Sequence, residues 1–172
     1  MKLALIVIAV VVGFVGAIAV IGACLPRAHR ATRSAFLSRR PSEIYAVIRD
    51  FAAMPSWRTD LPAVELLPPR GGLICFREVS PHRSMAYIVL EDSPPNRIVT
   101  KIADENLPFG GTWTYEILAE PSGSRVRITE QGEIKNVIFR LLARFVFGYT
   151  TTMEAYLRDL GKKFGETVIP AP

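Results

Sequence analysis

NVIFRLLARFVFGYTTTMEAYLRDLGKKFG, residues 136–165, is the stretch on which the fold turns. Ile138, Leu142, Phe145, Tyr149, Met153, Tyr156, Leu160 and Phe164 recur at steps of three or four. At about 3.6 residues per turn they fall on one helical face, with Arg140, Arg144, Thr151, Arg158 and Lys162 on the other. Asn136 is a good N-cap, Lys162 and Lys163 suit the negative end, and Gly165 followed by Pro170 closes the run. The spacing predicts a single long amphipathic helix over 136–165. Its broad apolar face needs a cover.

The cover comes from the residues before it. From Leu61 onward, short apolar runs alternate with turn clusters rich in Pro, Gly, Asn and Asp, such as Pro68-Pro69-Arg70-Gly71-Gly72 and Asp92-Ser93-Pro94-Pro95-Asn96. Strands are predicted at 64–67, 73–79, 84–90, 97–103, 112–119 and 125–134, after a first one at 31–38. This is the pattern of an antiparallel meander. Pro41 opens a short helix with Ile44, Val47 and Ile48 as its apolar side, and Asp50 caps a second one that Pro55 stops. The fold class is therefore α+β, a curved antiparallel sheet of about seven strands around a long C-terminal helix. Such a wrap tends to enclose a hydrophobic cavity.

Strand alternation identifies the inward side chains. Trp113, Tyr115 and Ile117 share one face, and Val126, Ile128 and Ile134 share parity with Glu130 and Gly132. Thr100 lies between Ile98 and Ile102 on the same count. An inward Glu130 among apolar neighbours needs a partner or a raised pKa.

Residues 3–25 contain no charge and are mostly Val, Ile, Ala and Leu. That is long enough to cross about 30 Å of hydrocarbon as a helix. An uncleaved transmembrane anchor is the first reading. A lipoprotein signal is the second, because Ile21-Gly22-Ala23-Cys24 resembles a lipobox that would leave Cys24 acylated. A cleaved secretory signal is the third. Arg27, Arg30, Arg33, Arg39 and Arg40 follow at once and favour a single-pass membrane protein with its soluble domain on the cytoplasmic side. The organisation expected is an anchor at 1–25, a basic juxtamembrane linker at 26–33, a folded domain at 34–166 and a tail at 167–172.

The net charge of +5 is not the mark of a nucleic-acid binder. Residues 1–33 hold four bases and no acid, leaving 17 bases against 16 acids in the rest. The excess is a juxtamembrane feature that could meet anionic headgroups. Arg140, Arg144 and Phe147, grouped by helical spacing, suggest a further basic and aromatic surface for a membrane.

The residues resemble a known family. Pro41-Ser42-Glu43-Ile44-Tyr45, Asp50-Phe51, Pro55-Ser56-Trp57, Gly111-Thr112-Trp113-Thr114-Tyr115-Glu116-Ile117, Gly123-Ser124-Arg125-Val126-Arg127-Ile128-Thr129 and Phe139-Arg140 through Phe147-Gly148 are similar to segments of the START-like, or SRPBCC, superfamily. That superfamily includes polyketide cyclases/dehydrases and lipid-transport proteins. The resemblance covers about residues 33–166 and implies a helix-grip fold whose pocket takes a hydrophobic small molecule or lipid. It implies no shared catalytic set.

Pocket candidates are Trp57, Thr100, Trp113, Tyr115, Glu130, Tyr149, Met153 and Tyr156, any of which could equally be plain core. Glu130 is the candidate for acid/base work if the domain is a cyclase/dehydratase-like enzyme. It could instead pair with an arginine or tyrosine, or be solvated. His29, in the linker, and His82, in a turn, have no partners at metal-ligand spacing, so no metal or cofactor is expected. Cys75 reads as inert strand packing. Three functions remain in view: a membrane-tethered binder of an apolar ligand, an enzyme, or an interaction module whose cavity is filled by its own side chains.

Overall fold

The structure, a computed structural model, describes residues 2–81 and 83–172, without several side chains between residues 3 and 19 and those of Arg83 and Phe147. His82 and the side chain of Phe147 thus lie outside the described residues. The chain begins with helix α1 (Lys2–Cys24). Next come strand β1 (Ala28–Leu37), helix α2 (Pro41–Arg49) and a 3₁₀ helix (Phe51–Ser56). Six strands follow: β2 (Ala63–Arg70), β3 (Leu73–Ser80), β4 (Arg83–Ser93), β5 (Arg97–Ile102), β6 (Phe109–Glu120) and β7 (Gly123–Ile134). The chain then forms helix α3 (Val137–Leu142), a π turn (Ala143–Phe147) and helix α4 (Thr151–Lys163).

The seven strands make one antiparallel sheet in the order β1-β7-β6-β5-β4-β3-β2. Each hairpin pairs with its sequence neighbour, and only β1 closes from afar, onto β7. The core lies between the sheet's concave face and α2, the 3₁₀ helix and α4. Ile44, Ile48, Phe51 and Met54 from the first helices meet Ile98, Ile117, Val126 and Ile128 from the sheet and Met153, Tyr156, Leu157 and Leu160 from α4. Tyr115, Ile117, Val126 and Ile128 face inward as their alternation requires. On the opposite face Thr32, Thr114 and Thr129 lie side by side in register, and the Thr32 and Thr129 hydroxyls are 3.1 Å apart.

Four expectations need correction. Strand β1 starts at Ala28, so most of the supposed linker is sheet and only residues 25–27 separate it from α1. Arg33 faces α4, where its Nε donates to Glu154 at 2.9 Å and its Nη2 to Thr150 at 3.3 Å. Pro55 sits inside the 3₁₀ helix, and Phe109 to Gly111 begin β6 where a turn was expected.

The fourth concerns residues 136–165, which do not form one helix. The apolar period runs on through the sequence, but Gly148 adopts φ 70°, ψ 164° and the chain bends before α4. Only the second half buries its stripe: Met153, Tyr156 and Leu160 are in the core, whereas Ile138 and Phe145 are exposed. Arg140, placed by spacing on the solvent face, is 5% exposed. Its Nη1 donates to the Leu25 carbonyl at 2.8 Å and to the Ala23 carbonyl at 3.5 Å. These are among the carbonyls a helix C-terminus leaves unpaired, and a guanidinium suits that negative end. Arg140 therefore contributes nothing to the basic surface expected of it, whereas Arg144 is exposed.

The bend gives a first prediction. The backbone at Gly148 occupies a region open almost only to glycine, so Gly148→Ala is expected to cost about 1–3 kcal/mol although the space around it is open. Thermal unfolding checks this; an unchanged midpoint would mean that α3 and α4 can join without the bend.

Helix α4 is clamped from the other side by Asp159, which is buried. It accepts from the Thr59 amide at 2.8 Å, the Thr59 hydroxyl at 2.7 Å and Lys162 Nζ at 3.1 Å. Burial alone would raise its pKa, but these hydrogen bonds outweigh burial and hold it below the ordinary value.

Helix α1 has 23 residues of continuous helical backbone. Taken over the described residues alone, no helix is long and apolar enough to cross a membrane. The helix is seen; a membrane crossing is not.

Candidate functional site

Sheet and C-terminal helices do not close completely on each other. Between them lies a cavity of about 250 Å³. Its walls come from the inner face of β3 to β7, from Met54 and Arg58, and from Phe139, Ala143, Gly148 and Tyr149 after β7. Two polar groups face this mostly apolar and aromatic space, which Thr100, Thr152 and Glu133 also border.

The first is centred on Arg58, just past the 3₁₀ helix. The guanidinium is buried and donates to Asp60 through Nε (3.1 Å) and Nη2 (2.8 Å) and to Glu78 through Nη1. It lies over the Tyr156 ring, 5.4 Å from the centroid. Burial would lower its pKa, but Glu78 and Asp60 more than reverse that, so it stays protonated. Tyr87 donates to the second oxygen of Glu78 at 3.5 Å. Burial pushes the Tyr115 phenol well above its usual range, so it remains neutral. Arg58 and Glu78 together bring a compensated ion pair to the cavity wall.

The second group lies towards the start of β6. His29 Nε2 and Glu130 Oε1 are 3.2 Å apart, and the imidazole stacks on Tyr149 with centroids 4.2 Å apart. Glycine makes room for the ring. A Cβ on Gly132 would sit 2.2 Å from the imidazole, and Gly111 faces Gly132 across the β6–β7 ladder. His29 Nδ1 is buried with no partner among the described residues. Glu130 thus has a partner, but it is neither the arginine nor the tyrosine expected: it is a histidine that had been placed in a linker. Among the described residues no cluster of three or more His, Cys, Asp or Glu could hold a metal.

Of the eight pocket candidates, Thr100, Trp113, Tyr115, Glu130 and Tyr149 line the cavity. Trp57, Met153 and Tyr156 do not; they are core, with Trp57 edge-on to Tyr156 at 5.1 Å. Reasoning from sequence missed Arg58, Glu78 and His29. Glu78 carried a usable signal, because it shares strand parity with Phe76, which is buried. Arg58 carried only the acid two residues on, Asp60, and His29 carried none; Arg58 meets Glu78 and His29 meets Glu130 only through the fold.

Trp113 is half-buried between Thr100 on β5 and Glu130 on β7, and part of its ring borders the cavity. Trp113→Ala is therefore expected to cost about 1–3 kcal/mol, below the value for full burial, while altering uptake of a fluorescent fatty acid. A variant that melts and takes up the probe like its parent would remove Trp113 from the wall.

A seven-strand antiparallel sheet curved around a C-terminal helix, with a cavity between, defines a START-like, or SRPBCC, domain. The chain belongs to the polyketide cyclase/dehydrase and lipid transport family, whose model matches residues 28–165. Similar solved structures include the di-domain ARO/CYC StfQ of the steffimycin biosynthetic pathway (TM-score 0.63, 13% identity, 82% of this chain and 53% of that one). This chain spans about half the length of that di-domain protein. Norcoclaurine synthase from Thalictrum flavum matches at TM-score 0.63 and 9% identity, over 81% of this chain and 87% of its own. A START superfamily protein from Mycobacterium smegmatis matches at 0.59 and 16%, over 78% and 96%. At these identities the likeness is one of fold. No curated protein sequence matches the chain.

Proposed function

We propose that this chain is a membrane-anchored domain that binds a hydrophobic small molecule or lipid in the cavity between sheet and helix. The observation that carries the reading is the cavity itself: about 250 Å³, walled by aromatic and apolar side chains and furnished with the Arg58–Glu78 pair. An apolar pocket with a few placed polar groups suits a ligand with an apolar body and one polar end. Mass spectrometry of the full chain extracted gently in detergent should find one apolar molecule bound. Protein that carries none, and takes up no fluorescent fatty acid, would leave the cavity without a ligand.

The anchor is helix α1, with the folded domain on the cytoplasmic side. Its 23 residues span about 34 Å, enough for the hydrocarbon core. Ile6, Val10, Val12, Val15, Val20 and Ile21 are all exposed, at positions all round the helix. Apolar side chains on every side suit lipid rather than water. The full chain should resist carbonate extraction, and a chain lacking residues 1–25 should not. Acylation of Cys24, which is exposed, would establish the lipoprotein alternative.

A second reading, a cyclase/dehydratase-like enzyme, is favoured by the His29–Glu130 pair at the cavity wall. A carboxylate and an imidazole within hydrogen-bond reach can pass a proton to or from a bound molecule. Glu130→Gln would then abolish turnover without abolishing ligand uptake; equal loss of both would return the pair to a binding role.

A further inference from the structure

Four apolar side chains on α3 and the π turn stand exposed among the described residues. Ile138, Phe139, Phe145 and Val146 are 42–67% exposed. They belong to a run, residues 134–153, that contains no acid but includes Lys135, Arg140 and Arg144. Lys135 and Arg144 are exposed. Exposed aromatic and aliphatic groups flanked by bases, with no acid among them, match the chemistry of a lipid–water interface.

The position of this patch names its occupant. Helix α3 packs against the last turn of α1: a Cβ on Gly22 would sit 2.4 Å from the Val137 carbonyl oxygen. Arg140 reaches from α3 to the Ala23 and Leu25 carbonyls at the same end. Whatever level the end of α1 occupies, α3 occupies too. If α1 spans the bilayer, that level is the interface.

The segment also borders the cavity. Phe139 both lines it and is partly exposed, and its ring stands 6.3 Å from that of Phe109 on β6. The segment is held at its two ends. Asn136 caps it, with the Asn136 and Lys135 amides donating to the Pro108 carbonyl at 3.4 and 2.8 Å, and Gly148 turns the chain at the other end.

We propose that the segment 137–148 lies in the lipid–water interface with Ile138, Phe139, Phe145 and Val146 among the lipids, so that the cavity opens to the bilayer between Phe109 and Phe139. The ligand then enters sideways from the membrane and need not cross water. This rests on α1 being the anchor, and the experiment separates the two.

The full chain is reconstituted in phosphatidylcholine–phosphatidylglycerol vesicles carrying brominated acyl chains. Three variants are compared with the parent, which supplies the background from Trp57 and Trp113: Phe145→Trp, Val146→Trp and, as control, Leu66→Trp on β2 at the far edge of the sheet. Side chains at 145, 146 and 66 are all exposed, so each indole is accommodated without repacking. Emission added by Phe145→Trp and Val146→Trp should be mostly lost. Bromines high on the chains should act more strongly than bromines near the methyl ends, because an interfacial segment sits about 5–10 Å deep. Emission added by Leu66→Trp should persist. Protein released from the vesicles by carbonate would overturn both readings. Retained protein in which positions 145 and 146 are quenched no more than position 66 would overturn this inference alone.

Discussion

Arg58→Ala is expected to cost the fold about 3–5 kcal/mol, because it leaves a largely buried carboxylate without its cationic partner. Glu78 is largely buried and receives Nη1 of Arg58, whereas Asp60 is exposed enough to be hydrated once its partner is gone. The loss is therefore concentrated on Glu78. For a chain of this size the midpoint of thermal unfolding should fall on the order of 10 °C. A double change, Arg58→Met with Glu78→Leu, should recover much of the loss, since apolar groups of similar volume replace a buried pair at little cost. Retained ligand in the double variant would make the pair structural; a ligand lost while stability returns would make Arg58 and Glu78 its polar anchor. A single Arg58→Ala chain that melts with its parent would mean that Glu78 is already solvated.

Tyr156→Ala should cost a comparable amount, about 3–5 kcal/mol, but for a different reason. The ring is buried at the centre of an aromatic cluster, with Trp57 at 5.1 Å, Tyr115 at 5.4 Å and Trp113 at 6.3 Å, and it underlies the Arg58 guanidinium. Truncation removes one wall of all four contacts and leaves a void that a sheet-and-helix core cannot fill by collapse. The hydroxyl contributes none of this. It is buried with no partner among the described residues, so Tyr156→Phe should be neutral or mildly stabilising. Denaturant titrations of the two variants give the check. A Tyr156→Phe protein as damaged as Tyr156→Ala would show that the hydroxyl has a partner that matters.

The two substitutions divide the site by origin. Tyr156 belongs to an apolar stripe visible in the spacing of α4. Arg58 belongs to no pattern at all; its place beside Glu78 exists only because β3 folds back across the end of the 3₁₀ helix. The same division runs through the rest of the chain.

What the sequence determined by itself was whatever depends on near neighbours. Strands β2 to β7 follow from apolar runs cut by Pro, Gly, Asn and Asp, and the inward placement of Tyr115, Ile117, Val126 and Ile128 follows from a period of two. The buried face of α4 follows from a period near 3.6. Two local signals were present and overruled. Gly148 interrupts the helical pattern, but a step of four from Phe145 to Tyr149 continues the period straight across the bend, because periodicity records side-chain direction and not backbone continuity. His29 lies between Arg27 and Arg30 in a stretch that looks like a linker, yet residues 28–33 pair with β7, because an unpaired sheet edge gains hydrogen bonds from any strand long enough to reach it. Only the tertiary structure decided the polar contacts: Arg140 with Leu25, His29 with Glu130, Arg58 with Glu78. Each joins groups on different elements, and each polar group is buried or half-buried only because the packed core forces it there. Burial then makes the partner obligatory, since a desolvated charge or donor left alone costs more than its ordering. That requirement comes from the assembled fold; beside Arg58 only Asp60 hints at it, and nothing in the residues beside Arg140 or His29 announces it.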